Sequence, residues 1–336
     1  GVRVLDLSRV LAGPWCTQIL ADLGADVVKI ERPGGDDMRY GPPNKQWSDR
    51  GLSTSWLAIN SNKRNIALDL TKPEATAIVK RLAAKADVVM ENYRPGVMEK
   101  LGYGWEQLHA RHPSLIYAAT SGFGHTGPYR DRAAYDMVVQ AMGGIMSLTG
   151  QPNSPPTRVG TSIGDIAAAL FTAIGIVSAL YDRRAGGSGR KIDVSMLDCQ
   201  VAILENAVAR FAALGEVPGP IGARHPSITP FAAFQAVDGF IVIAAGNDEL
   251  FRRLCGVLGL AELALEPRFS TNSERTRNHA ALAARIETAL LRGSVAQWLE
   301  RLIDAGIPCG PINSIDQTLN DPQVRARHMV AYADDP

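Results

Sequence analysis

The sequence predicts an α/β protein: a doubly wound, Rossmann-like parallel sheet forming a large first domain, followed by a smaller α+β domain. Three observations lead there. Short apolar, β-branched runs alternate with helical patterns through the first half, as in sheets covered by helices on both faces. A Gly- and Pro-rich tract at 215–230 then breaks the alternation. Beyond it, two apolar runs flank Asp238-Gly239, a β-hairpin signature.

Strands are expected at 2–7, 25–30, 65–70, 86–90, 115–119 and 191–195. The helix expected at 14–23 has Pro14 near its first turn, where a missing N–H costs nothing. The helix at 73–85 has Thr71 as a candidate cap, with Pro73 and Glu74 in its first turn. Long apolar helices are expected at 163–181 and 196–214, joined by a Gly-rich turn and the strand at 191–195. In the second half a hairpin at 231–237 and 240–245 precedes helices at 248–258, 273–291 and 294–305. The resulting domains are 1–214, a linker at 215–230, a small domain at 225–305, and a linker at 306–336 returning to the large domain. The first residue is not Met and Asp334-Asp335-Pro336 finish no element, so further chain is expected at both ends.

Composition narrows the function. The formal net charge is +1, from 35 basic and 34 acidic residues, which gives no reason to expect a nucleic-acid or anionic-membrane partner. The four cysteines are dispersed, with no C-x-x-C pair, as suits a reducing, cytoplasmic setting. No uninterrupted apolar run approaches the ~20 residues that span a bilayer. None of the six histidines sits in an H-E-x-x-H pattern, so no metal site is expected. Gly186-Gly187-Ser188-Gly189 precedes a strand instead of opening a helix, so it reads as a turn and not a phosphate cradle.

Asp165 stands out by position. A polar stretch, 155–162, leads into the long apolar helix and places this acid in its first turns beside Gly164. A carboxylate there is stabilised by the helix dipole and free N–H groups. Position alone favours a structural helix-start acid.

Several stretches together change that weighting: VLDLSRVLAGPWCTQILADLGADVVKIERPGGDDMR, NKRNIALDL, ADVVMENYRPGVMEKLG, SGFGHTGPY, YDMVVQAMGG, VGTSIGDIAAAL, GSGRKIDVSMLD, GARHPSITPF and GIPCGPINS. In order and spacing the chain resembles, over essentially its whole length, the class III CoA-transferase family. That group contains formyl-CoA, carnitine and succinate–hydroxymethylglutarate CoA-transferases, and also the α-methylacyl-CoA racemases. The resemblance implies that Asp165 is the catalytic aspartate, carrying the acyl group and then CoA. It implies that Val10 and Leu11 lie beside the thioester arm and Arg32 near the nucleotide end. Leu68, Asp69, Leu70 and Thr71, with Asn92, Tyr93 and Arg94, match adenine and pantetheine contacts. Lys100 matches a phosphate contact. Ala133, Ala134, Tyr135 and Asp136 match a loop beside the thioester, and Gly222, Ala223, Arg224 and His225 a loop covering the acyl group. Leu11 replaces a Gln and Ala133 a Lys of formyl-CoA transferase. Read from the residues, Leu68 and Val10 also suit a sheet core, and Arg32 and Lys100 a solvated surface. Asn92 follows a strand's carboxyl end, where α/β sheets bind ligands.

The implied chemistry is acyl transfer through an aspartyl anhydride and an aspartyl-CoA thioester, with coenzyme A as a substrate moiety and no tightly bound cofactor. N–H groups near Gly164 and in the 222–227 loop are candidate oxyanion donors. The rival, racemase chemistry, needs a His beside the acid of the Tyr-Asp pair. Tyr135 stands there, and His125 lies ten residues earlier. By resemblance the protein is an interlocked homodimer using acyl-CoA and carboxylic acid substrates. Succinyl-CoA is the leading donor, and Arg39, Arg158 and Arg224 are candidates to pair a distal carboxylate.

Overall fold

In the computed structural model, which describes residues 1–40 and 49–331, alternate residues of the central strands feed two separate cores. Val4, Val88, Met90, Ile116 and Ala118 face one side and pack with Cys16, Leu20, Ala169, Ala173 and Ile176. Leu5, Leu7, Val89, Tyr117 and Ala119 face the other and pack with Val79, Ala83, Met98 and Tyr103. Helices therefore cover both faces, which is why these strands read as unbroken apolar runs.

The strands are β1 (Arg3–Asp6), β2 (Asp26–Glu31), β3 (Lys63–Ala67), β4 (Val88–Glu91), β5 (Ile116–Ser121) and β6 (Lys191–Ser195). They form a six-stranded sheet ordered β3-β2-β1-β4-β5-β6, with every neighbouring pair parallel. This is the doubly wound, Rossmann-like order. Its direction reverses between β1 and β4, which opens a crevice at their carboxyl ends.

The helix Ile163–Arg184 lies against β5 and β6. Ala167, Ala168, Ala169, Thr172 and Ala173 face inward, and these small residues let it approach closely enough for Thr172 Oγ1 to meet Thr120 Oγ1 at 2.8 Å. Among the described residues it is the one helix long and apolar enough to cross a membrane by length and composition. Here its inner face belongs to the protein core.

Some local expectations shift. The third strand is Lys63–Ala67, not 65–70. Leu68 and Leu70 owe their apolar character to packing on the core beyond the strand end. The N-cap of the helix Pro73–Ala83 is Lys72, not Thr71. The Thr71 hydroxyl instead donates to Asp69 Oδ1 at 2.6 Å. The helix expected at 196–214 is two helices, Met196–Ala202 and Glu205–Leu214. The one expected at 273–291 is Asn272–Arg277 and His279–Leu290. Apolar Ile203 and Leu204 continue through the first break, so periodicity carries no sign of it, while the second falls at the polar Asn278.

The chain divides into compact units at Gly1–Pro220 and Ile221–Pro336. In the second, β7 (Phe231–Gln235), β8 (Phe240–Ala244) and β9 (Cys309–Pro311) form an antiparallel sheet in that order. It packs on a core that includes Phe234, Ile241, Ile243, Leu254, Leu282, Trp298 and Leu302. Cys309–Pro311, expected in a linker, is thus a sheet strand. Its brevity hides it from pattern reading.

Candidate active site

The loop that leaves β1 is held residue by residue. Lys29 Nζ donates to Ser8 O at 2.7 Å. Asn92 grips the backbone of Arg9 from both sides, accepting from its N–H at 2.8 Å and donating to its carbonyl at 2.7 Å. Asp36 Oδ2 accepts from Val10 N–H at 3.0 Å. The loop ends at the helix Ala12–Asp22. There Gly13 is required by packing, since a Cβ would stand 2.2 Å from Ser8 Cβ.

This loop and the segment after β4 meet the end of β5 and the start of the long helix around a cavity of about 390 Å3. Its walls include Val10, Leu11, Asn92, Tyr93, Arg94, Ala133, Ala134, Tyr135 and Asp165. It sits at the crevice that the strand order creates.

Asp165, in the first turn of its helix, is half-buried. Burial pushes its carboxyl up to about 7, and the negative charge of Asp136 adds to this; a hydrogen bond from the Ala12 N–H opposes both. Desolvation therefore outweighs the expected dipole stabilisation. No cation lies among the causes of its shift. Gly164 N–H, expected as an oxyanion donor, is already committed to Asp136 Oδ1 at 2.8 Å. Asp136 Oδ2 accepts from Gln140 Nε2 at 2.7 Å. Asp136 is thus a buttress behind Asp165 and not a wall of the cavity. A Cβ on Gly164 would stand 2.7 Å from Val139 Cγ2, so no larger residue fits between the two acids.

Other expected residues lie elsewhere. Arg32 lines a neighbouring recess and pairs with Asp37, which also pairs with Arg9. Leu68, Asp69, Leu70, Thr71 and Lys100 are not in the cavity wall. Lys100 is exposed on the short helix Val97–Leu101. Gly222, Ala223, Arg224 and His225 belong to the second unit. There His225 N–H donates to Phe231 O at 2.8 Å and Arg224 bridges to Ala232, so this part of the expected linker runs along β7.

Of the arginines considered for a distal carboxylate, Arg39 is committed. Nε and Nη2 reach both oxygens of Glu31 at 2.5 and 3.0 Å, and the guanidinium stacks 3.6 Å from the Trp56 ring centre. Arg158 is exposed and donates to Val159 O. Sequence reasoning missed Arg9, Arg130 and Arg132, which do line the cavity; two lie in the YRDR stretch between the quoted SGFGHTGPY and YDMVV segments. Arg94 and Arg132 have no carboxylate partner among the described residues. Arg132 instead lies over the Tyr129 ring at 4.5 Å.

No histidine lines the cavity among the described residues. His125 Nε2 stands 3.7 Å from Glu91 Oε1, and its Nδ1 is 3.2 Å from Lys191 Nζ.

Comparison with known proteins finds relatives along the whole chain. The chain is 48% identical over 333 residues to acetyl-CoA:oxalate CoA-transferase of Acetobacter aceti, covering 98% of this chain and 84% of that one. It is 42% identical over 333 residues to succinate–glutarate CoA-transferase of Agrobacterium fabrum, covering 98% and 83%. A CAIB/BAIF family protein from Brucella suis superposes with a TM-score of 0.87 at 42% identity, over 98% of this chain and 87% of that one. The profile of CoA-transferase family III matches residues 1–336, and the chain belongs to that family.

Proposed function

We propose that this protein transfers CoA from a dicarboxylyl-CoA, with succinyl-CoA the leading donor, to a second carboxylic acid, through covalent intermediates on Asp165. The observation that carries this reading is the half-buried Asp165 carboxylate in the wall of a cavity that also presents Arg94 and Arg132, which have no acid partners among the described residues; burial and Asp136 push that carboxyl up to about 7. A carboxylate of raised pKa is a better nucleophile than an ordinary one. Exposed guanidinium groups without a carboxylate partner are free to take anionic groups of the substrate. The names of the relatives include the dicarboxylic acids oxalate, succinate and glutarate, the first of them beside acetyl-CoA.

In this mechanism an Asp165 oxygen attacks the donor thioester carbonyl and the C–S bond breaks, giving a mixed anhydride and CoA thiolate. The thiolate attacks the Asp165 carbonyl and expels the donor acid as its carboxylate. The acceptor carboxylate attacks the aspartyl thioester, again releasing thiolate. That thiolate attacks the acyl carbonyl of the new anhydride and restores the Asp165 carboxylate. No step consumes water, so the thioester's activation is retained.

The protein acts as a homodimer in this reading. Leu170, Phe171, Ile174, Val177 and Tyr181 form an exposed apolar stripe on the long helix, with Ile174 62% exposed. A contiguous apolar face of this kind suits burial against a second copy of the chain. Sedimentation at micromolar concentration should give a dimer.

The direct functional test is a screen of acyl-CoA donors against carboxylic acid acceptors, with CoA products identified by mass spectrometry. New acyl-CoA should appear only when a dicarboxylyl-CoA and an acceptor acid are both present. Release of free CoA in place of transfer would contradict the reading.

A further inference from the structure

We propose that Asp36 and Lys29 are positioning residues: together they hold Val10 in a left-handed backbone conformation, so that the first amide of the following helix meets Asp165. The inference rests on the reading of Asp165 as the group that accepts the acyl chain. It concerns residues that touch neither substrate nor the reacting atoms.

The observation behind it is the backbone of Val10, whose φ is +66°. A β-branched side chain crowds its own backbone in this region, and residues held there sit in a conformation they leave unless surrounding contacts hold them. Those contacts are on the page. Asp36 Oδ2 accepts the Val10 N–H at 3.0 Å. Lys29 Nζ lies 3.7 Å from the same oxygen, with the side chains 0% and 2% exposed. Lys29 also fixes Ser8 O, while Asn92 fixes both backbone groups of Arg9. Met38 N–H donates to the other oxygen of Asp36 at 3.0 Å, which sets that carboxylate's orientation. The clamps end where the helix starts, and Ala12, its first residue, lines the same cavity as Asp165, with its N–H acting to lower that carboxyl's pKa. A Val10 relaxed to negative φ redirects the chain at the residue two before Ala12. That moves this donor and frees the carboxylate to turn. Buried charge is costly to maintain, and a buried ion pair behind a strained loop residue beside the reacting acid serves alignment.

The test is a double-mutant cycle on kcat. Glycine adopts positive φ at no steric cost, so it removes the need for the clamp. Asp36→Ala should lower kcat by about 10–100-fold in the natural background, the scale of an ångström-level misplacement of a reacting group. In a Val10→Gly background, with that variant's own rate as reference, the same substitution should cost less than about threefold. An equal cost in both backgrounds, or none in the natural one, overturns the proposal. Should Asp36→Ala leave Lys29 unpaired and the chain unfolded, Lys29→Met with Asp36→Leu removes both charges, and the cycle is read on that pair with the same outcomes. Asp165→Ala is measured alongside. If it is inactive while the cycle is additive, only the positioning role fails. If it is active, the reading of Asp165 fails whatever the cycle shows.

Discussion

Two carboxylates of this sheet edge meet burial in opposite ways. Asp6, at the end of β1, is fully buried, and burial alone would raise its pKa. Lys29 and Lys63, with hydrogen bonds from Ser8 and Thr17, overcome that and hold it down at about 2. Thr17 Oγ1 donates at 2.5 Å and Lys63 Nζ at 3.3 Å. Asp165 has neighbours of the opposite kind: its largest perturbation is also burial, the next is Asp136, and only the Ala12 N–H opposes them. Its carboxyl is raised to about 7. The same residue type is thus held ionised where cations surround it and pushed toward its protonated form where they are withheld. One lysine of the first region also reaches the second, since Lys29 and Asp36 hold the loop that ends at Ala12 in the wall shared with Asp165.

Substitutions should separate the two. The largest effect is expected at Asp165: replacing it with Ala should reduce transferase activity by about 10⁴-fold or more while the circular dichroism of the fold survives. Asp6→Asn should do the reverse in kind. It leaves the buried Lys63 ammonium without its anion and should cost about 3–5 kcal/mol of stability in denaturant unfolding. Next in size is the anion side of the cavity. If Arg94 or Arg132 pairs a distal carboxylate, its change to Ala should weaken use of succinyl-CoA relative to butyryl-CoA by about 2–4 kcal/mol in kcat/KM. An unchanged ratio in both variants would leave these arginines to other anionic groups of the substrate.

The smallest effects sharpen the comparison through pH. Asp165 has a folded pKa above its ordinary value of 3.8, so the protonated form is favoured in the native state. Its contribution to stability is fully present below about pH 4 and is lost as pH rises through about 7. Asp165→Asn should therefore stabilise the protein by about 1–3 kcal/mol at pH 8 and by nothing near pH 4. Asp6, with its lowered pKa, stabilises above about pH 4 and loses that contribution as pH falls through about 2. With the ionised Asp165 as the proposed nucleophile, kcat/KM of the free enzyme should fall on the acid side of about pH 7. Asp136→Asn removes the like charge and should shift that limb to lower pH by less than about one unit.

Much of this was legible in the sequence. The apolar runs at β1, β2, β4 and β5 report burial on both faces, and the polar-to-apolar boundary before Ile163 puts Asp165 in a helix's first turn. Strand order is not in those runs. The juxtaposition of the loops after β1 and β4 follows from it and not from any local signal. Leu68, Asp69, Leu70 and Thr71 are named as site residues by the resemblance alone; locally, Leu68 and Leu70 pack on the core and Thr71 hydrogen-bonds Asp69. Arg9, Arg130 and Arg132 were missed because an arginine in a loop looks the same whether it faces solvent or a cavity. The positive φ of Val10 has no signature either, since glycine is the usual mark of that conformation and a valine conceals it.

The central claim is that Asp165, and no other residue, carries the covalent intermediate. The direct measurement is peptide mapping by mass spectrometry after turnover with succinyl-CoA and an acceptor acid in the presence of hydroxylamine. The account predicts a hydroxamate on the peptide containing Asp165, formed only with donor present and abolished in Asp165→Ala. Modification of a different side chain, or unmodified Asp165 in an enzyme that is turning over, would contradict it.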